Sequence, residues 1–451
     1  MAPDADSSTP HSKLRDGQLS AHRGALLRFT ADPGDGSDPS SYDYFDDGLL
    51  VIEAGRVVAA GPAAELTPQL PAGLHVEHHA DKLLLPGFID THIHFPQVDV
   101  IGSGGQQLLD WLADYTFPEE GRFGDAAHAA EVAEVFLDEL LRNGTTTALV
   151  FCTVHSVSVD VLFTAAQRRG LRLIAGKVLM DRNCPDYLRD TATGGVADSR
   201  RLLTQWHGRD RLGYAITPRF VGTSSPEQLQ AAGRLAAEFP DVHIHSHLAE
   251  NHAEVAWVKQ LFPDARSYLD VYDRYGLVRE RSVYAHCIHL DDVDRQRMAT
   301  AGSAAAFCPT SNLYLGSGLF DIAAADRAGL RYSVATDVGG GTSFSLLRTL
   351  DEACKVAKLT GQYLSPLRAF YLVTLGAARC LGLQHQVGTL AVGSEADFVV
   401  VNPRATELLA RRTRSARSLT DRLRLLLTLG DDRAIHATYS FGRLVHAVGV
   451  P

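Results

Sequence analysis

No stretch of the 451 residues approaches the ~18 consecutive apolar residues that a membrane helix requires. The first twenty residues, MAPDADSSTPHSKLRDGQLS, lack the apolar centre of a secretory signal. No Cys-x-x-Cys pair occurs among the six cysteines, which are scattered at 152, 184, 287, 308, 354 and 380. Buried, reduced thiols and a cytoplasmic location are therefore expected. An excess of positive charge is missing too: 43 Lys+Arg face 53 Asp+Glu, giving −10 at pH 7. A chain of this balance is not expected to bind nucleic acid, which needs clustered cations, nor to engage a membrane. There is no internal repeat and no disordered composition. Hydrophobic residues make up 45% of the chain, ample for a large core.

Residues 1–19 are polar and rich in Ser, Asp and Pro, and read as a mobile leader. Residues 20–82 carry short strands at Ala25–Phe29, Gly48–Glu53 and Arg56–Gly61, with a hairpin at Ala54-Gly55 and a loop over Asp32–Ser41. Between 83 and 388 the texture changes. Eight β-type runs (Leu83–His94, Thr145–Thr153, Leu173–Met180, Leu212–Phe220, Val242–Leu248, Ser282–His289, Ala304–Pro309, Leu330–Asp337) are mostly separated by helical patterns such as Ala126–Arg142, Pro226–Glu238 and Asp291–Ala301. Near-continuous apolar runs suit buried parallel strands. The rhythm predicts an α/β protein, a (β/α)8 TIM barrel. After 388, strand texture returns at Val387–Gly393, Ala396–Val401, Ala434–Phe441 and Leu444–Val448, around an Arg-rich amphipathic segment, Glu407–Leu429. Residues 20–82 and 389–451 are expected to join in a small β-sandwich domain outside the barrel.

Four of the runs end in metal-competent groups. His92 and His94 lie two apart at the end of the first, so their rings share a strand face. His243, His245 and His247 share one face of the fifth, with Glu250 three residues beyond. His286 ends the sixth and Asp337 the eighth. Taken singly, such histidines often only cap strands or pack. Together they sit in register at the strand ends where barrel sites are built and predict a metal site with an open position for water. The glycines after Asp337 have no P-loop lysine and read as a turn. His252-Ala253-Glu254 mimics half of a zinc-deaminase motif of another fold, but the Pro-Cys-x-x-Cys half is missing.

PGFIDTHIHFPQ (86–97), GKVLMDRN (176–183), ITPRF (216–220), HLAEN (247–251), HCIHL (286–290), PTSNLYLGSG (309–318) and TDVGGGTSFS (336–345) resemble the amidohydrolase superfamily, and within it the guanine deaminase family. The resemblance spans nearly the whole chain after the leader. It implies that His92, His94, His247 and Asp337 ligate one metal ion. That ion is usually zinc, and iron accepts a similar set. It implies proton transfer by Glu250, with His286 and Asp337 as its catalytic partners. It implies that Gln97, Arg219 and Phe220 contact a purine base beside His94, His247, Glu250 and Asp337. The fourth run lacks the bridging lysine of binuclear relatives, and Lys177 on the third is expected to be structural or part of a pocket wall. A homodimer is expected as well. The reaction implied is hydrolysis of guanine to xanthine and ammonia, with Glu250 protonating ring nitrogen N3 and Asp337 relaying the water proton. The alternatives are another deaminase or chlorohydrolase of the superfamily, acting on a different heterocycle, and a barrel that serves only as a scaffold.

Overall fold

The computed structural model describes residues 19–104 and 107–449. The expected leader, residues 1–19, lies outside them except for Leu19, which opens the first strand. Strands β1 (Leu19–Phe29), β2 (Tyr42–Glu53), β3 (Arg56–Pro62) and β4 (Val76–Pro86) come first. Ala54 and Gly55, with φ of 49° and 81°, turn the β2–β3 hairpin as its sequence asks. Then come β5 (Phe88–His94), β6 (Thr145–Phe151), β7 (Arg172–Gly176), the two-residue β8 (Val178–Leu179) and β9 (Leu212–Pro218). β10 (His243–Leu248), β11 (Ser282–His286), β12 (Ala304–Phe307) and β13 (Arg331–Val334) follow. β14 (Phe398–Val401), β15 (Ile435–Ser440) and β16 (Arg443–Ala447) end the chain's strands.

β5, β6, β7, β9, β10, β11, β12 and β13 pair in parallel in that order, a TIM-like barrel of eight strands, with β8 continuing the line of β7 against β9. Two backbone bonds join its ends: Asp337 N–H donates to His92 O (3.0 Å) and His94 N–H to Val338 O (2.9 Å). The helices at Ala126–Arg142 and Pro226–Glu238 form where their periodicity places them, and Asp291 caps Asp292–Ala301 through its side chain.

The terminal segments meet in a separate, mostly antiparallel seven-stranded sheet, ordered β16-β15-β14-β4-β1-β2-β3. One face, with Leu27, Phe29, Leu83, Leu85, Val399 and Val401, joins the main core. The alternate residues, with Leu26, Leu50, Leu84, Phe398 and Val400, close a cluster of their own.

Two segments differ from expectation. The run Leu83–His94 is divided between the two sheets at Pro86-Gly87, so one apolar stretch feeds both. A Cβ on Gly87 would meet Thr146 Oγ1 at 2.2 Å, so only glycine allows the chain to pass there. Val387–Gly393 is not a strand. Gly388 and Gly393 sit at φ of 78° and 89°, which breaks the extended line, while Val387 and Leu390 still bury their side chains. The Arg-rich segment forms two helices, Glu407–Thr413 and Leu419–Leu429, whose Leu409, Leu423, Leu426 and Leu427 are core residues.

The sheet and barrel are also tied by charge. Arg211, at the foot of β9, pairs with Glu395 (2.8 Å) and Asp397, both buried, and Arg172 holds Glu395 at 2.6 Å. Removing one member of such a network leaves a charge buried without its partner. Arg211→Ala should therefore lower unfolding stability by about 3–5 kcal/mol, seen as a lower denaturant midpoint with kcat per folded molecule retained.

Candidate metal centre and active site

The barrel seam sets the site. β5 directs His92 and His94 to one face, and the seam bonds bring Asp337 alongside them. Asp337 and His286 both adopt positive φ (51° and 71°), so the chain has left strand geometry where it presents these side chains. His94 Nε2 lies 3.2 Å from His92 Nε2, 3.2 Å from His247 Nε2 and 3.3 Å from Asp337 Oδ1. His92 Nε2 lies 3.1 Å from Asp337 Oδ1. A tetrahedral zinc site with bonds of about 2.0–2.1 Å has edges of about 3.3–3.4 Å. The four donors are thus spaced as the edges of such a cage. His92, His94 and Asp337 are buried and His247 is partly so.

Each ring's second nitrogen is engaged. His247 Nδ1 lies 2.7 Å from the Arg219 carbonyl, which fixes the hydrogen on Nδ1 and leaves Nε2 free to ligate. His92 Nδ1 lies 2.7 Å from His245 Nε2. His245 is therefore a support for a ligand, and His247 points into the cage. His243, at the other end of β10, holds the Leu381 carbonyl (2.8 Å) and takes no part. Asp90 accepts from the backbone N–H groups of His92 and Thr336, both at 3.2 Å, and ties the two halves of the seam. Burial pushes His94 down to about 3 and lowers His92, so these imidazoles are neutral and ready to ligate. Burial alone would raise Asp337, but the facing His92 and His94 hold it well below the usual carboxylate range.

His286 stands beside the cage. Its Nδ1 lies 2.8 Å from Asn312 Oδ1, so its lone pair is on Nε2, 3.7 Å from Asp337 Oδ2 and 3.2 Å from Glu250 Oε2. His92, His247, His286 and Asp337 also form a group of donor atoms within 4.8 Å of one another. The shorter spacings favour His94 over His286 as the fourth ligand and leave His286 on the open side. Burial, with Asp337 nearby, pushes Glu250 up to about 8, so it is a neutral acid at pH 7. Ser317 Oγ donates to its Oε1 at 2.9 Å. Glu254 takes the backbone N–H of Glu250 (2.9 Å) and fixes the loop that carries it. A cation cage beside a protonated carboxyl can activate water and protonate the group that water attacks.

His94, His247, Glu250, His286 and Asp337 line a pocket with Gln97, Arg219, Phe220, Leu108, Trp111 and Leu315 among its walls. Every residue expected to contact a base is brought here. Arg219 is held by Glu120 (2.6 Å), and Gln97 donates to the other oxygen of Glu120 (3.0 Å) while accepting from Gly339 N–H (3.1 Å). Lys177 is structural: it is buried against Asp190 and is not among the residues lining the cavity. Glu120, Asn312 and Ser317 are functional neighbours to which no role was given from the sequence. Asn312 and Ser317 lie inside the noted PTSNLYLGSG stretch. Glu120 lies on the short helix Phe117–Gly121, away from any strand end, and carries no local signal.

The amidohydrolase family matches residues 83–445. Guanine deaminase of Escherichia coli is 49% identical over 95% of this chain and 98% of its own. Its solved structure superposes with a TM-score of 0.92, covering 95% of this chain and 100% of that one. A probable guanine deaminase of Deinococcus radiodurans is 40% identical over 95% of this chain and 99% of its own. The Clostridium acetobutylicum guanine deaminase (C. acetobutylicum), solved with guanine bound in its active site, is 29% identical with a TM-score of 0.86, covering 95% of this chain and 100% of that one.

His245→Ala removes the partner that orients His92. Metal affinity should fall by about 10–100-fold, measured by competition with a chromogenic chelator; unchanged affinity would show that His92 needs no such support.

Proposed function

The chain belongs to the guanine deaminases of the amidohydrolase family, and we propose that its cage of His92, His94, His247 and Asp337 holds one zinc ion while Glu250, His286 and Asp337 move the protons. The enzyme hydrolyses guanine to xanthine and ammonia. The observation that carries the assignment of roles is the placement of Glu250, a neutral acid pushed up to about 8 by burial, across from the cage, with His286 between them. An ion held by these residues would lower the pKa of its water from about 15.7 to about 7 and so supply hydroxide at neutral pH.

The residues of the chain do the rest. Glu250 gives its proton to ring nitrogen N3, which makes C2 electrophilic. Asp337 takes the proton of the attacking water and passes it to the leaving amine, and the remaining hydroxyl proton returns to Glu250 as the C2 carbonyl forms, so that ammonia departs, xanthine remains and the acid is restored. His286, its Nδ1–H fixed by Asn312, offers Nε2 to the water and keeps it oriented. The two carboxyls are set apart by their surroundings, one held as an acid and the other as a base. Substrate lies against His94, His247, Glu250 and Asp337, with Phe220 along its side.

Arg219 reads the C6 carbonyl. A guanidinium only donates, so it accepts guanine and meets the adenine amino group donor to donor. Glu120 uses one of its N–H groups and leaves others for the base. Glu120 also orients the Gln97 amide against a second edge of the ring.

We also assign the chain to the cytoplasm as a homodimer, with the barrel domain starting at Phe88 rather than at residue 83, since β4 runs to Pro86 in the companion domain of the terminal segments. Among the described residues no helix is long and apolar enough to cross a membrane. The six cysteines are free thiols, as a reducing compartment maintains them. Exposed Leu359 and Tyr363 offer an apolar face to a second copy, and sedimentation velocity tests this.

Purified enzyme should release xanthine and ammonia from guanine with about one zinc in the barrel cage, lost in His94→Ala, and leave adenine and cytosine intact. Turnover of a triazine instead would overturn the assigned base contacts. Glu250→Gln should abolish turnover and keep the metal; near-normal kcat would remove Glu250 from proton transfer. Because the acid form of Glu250 is the active one, kcat/KM should be full below its pKa and fall as pH rises through about 8. Glu120→Gln weakens charge-assisted bonds and should lower kcat/KM for guanine by about 10–100-fold, or about 1.4–2.7 kcal/mol.

A further inference from the structure

Three side chains in the small sheet repeat the spacing of the barrel cage. β1 and β4 run parallel with His22 opposite Glu77. His79 is two residues beyond Glu77 and near the same partner. His22 Nδ1 lies 3.2 Å from His79 Nε2 and 3.3 Å from Glu77 Oε2, and His79 Nε2 lies 3.7 Å from Glu77 Oε1. Both imidazoles are buried, while the Glu77 side chain is 49% exposed. The Tyr439 hydroxyl lies 3.0 Å from each Glu77 oxygen and steadies the carboxylate.

The two facing ring nitrogens, 3.2 Å apart, leave room for one hydrogen between them. A hydrogen on His22 Nδ1 cannot point at both His79 Nε2 and Glu77 Oε2. Moved to His79 Nε2, it leaves His22 Nδ1 facing the carboxylate lone pair to lone pair. His22 Nε2 has no polar partner, and the Phe398 and Tyr439 rings pack against its ring at 5.0 and 4.9 Å. A cation between the three atoms would engage all the facing lone pairs at once, and the donor spacings are close to the zinc-site edges of about 3.3–3.4 Å.

We propose that His22, His79 and Glu77 form a second divalent-cation site, suited to a nitrogen-preferring ion such as zinc, with its exposed side completed by water. Such an ion cross-links β1 to β4, the strand that leads into β5 and the barrel ligands. It takes no part in guanine hydrolysis.

Metal analysis of the zinc-loaded full chain tests the site. The expected result is about two zinc ions per chain in the wild type and about one in His79→Gln and in Glu77→Gln, with guanine turnover unchanged in both. Glu77 is half exposed, so its variant keeps the test valid if loss of His79 disturbs folding. About one ion in the wild type, lost in His94→Ala and kept in both sheet variants, overturns the proposal. So do two ions that persist in both sheet variants. In a His94→Ala background, added zinc should raise the thermal midpoint, and the rise should vanish when Glu77→Gln is added; a rise that survives overturns the proposal. A zinc-dependent rise removed by Glu77→Gln supports this site even if the barrel cage fails to bind zinc.

Discussion

Everything at the barrel mouth depends on the seam between β5 and the segment after β13. Two backbone hydrogen bonds, Asp337 to His92 and His94 to Val338, hold a carboxylate against two imidazoles. Without that closure the donors would belong to opposite edges of an open sheet. Asp90, accepting from both sides of the seam, makes the join a buried polar network rather than a simple ladder. Buried networks of this kind are favourable only when every member is satisfied. The ring nitrogens turned away from the cage meet this demand through Arg219 O and His245, and those turned inward converge on one point.

Burial also separates the functions of two acids that lie close together. Asp337 faces imidazoles and stays ionised, whereas Glu250 faces a low-dielectric wall and an existing negative charge and stays protonated. Their opposite states follow from surroundings, since the two side chains have nearly the same ordinary acidity. The same logic applies one layer further out. Glu120 compensates the Arg219 guanidinium inside the wall, so a cation is buried at the edge of the pocket at tolerable cost.

The barrel was legible because parallel strands buried on both faces read as apolar runs, and because a ligand at a strand end leaves a histidine or aspartate where the run stops. His92, His94, His247, His286 and Asp337 all carry that mark. Three alternating histidines on β10 were less legible: period two puts them on one face without saying which reaches the mouth. Depth along the strand decides it, with His243 at the floor, His245 behind His92 and His247 at the rim. Glu120 carried no signal, because its role arises only when a short helix between barrel strands folds over Arg219. Val387–Gly393 misled for the opposite reason, since its apolar residues are buried while its glycines deny it a strand.

The small sheet is coupled to the catalytic one by covalent continuity as well as by contact. β4 ends at Pro86 and β5 begins at Phe88, so a single passage at Gly87 separates a strand of the sheet from the strand that carries His92 and His94. Gly87 N–H donates to the Asp397 carbonyl at 2.9 Å, and the Asp397 side chain is held by Arg211 from the foot of β9. The N-terminal and C-terminal segments thus fix the point at which β5 enters the barrel. Ligand positions that must agree within a fraction of an ångström gain from a strand anchored at its start, because a one-residue slip would turn both histidines to the other face. On this argument the sheet is part of the apparatus that sets the register of His92 and His94 in the cage.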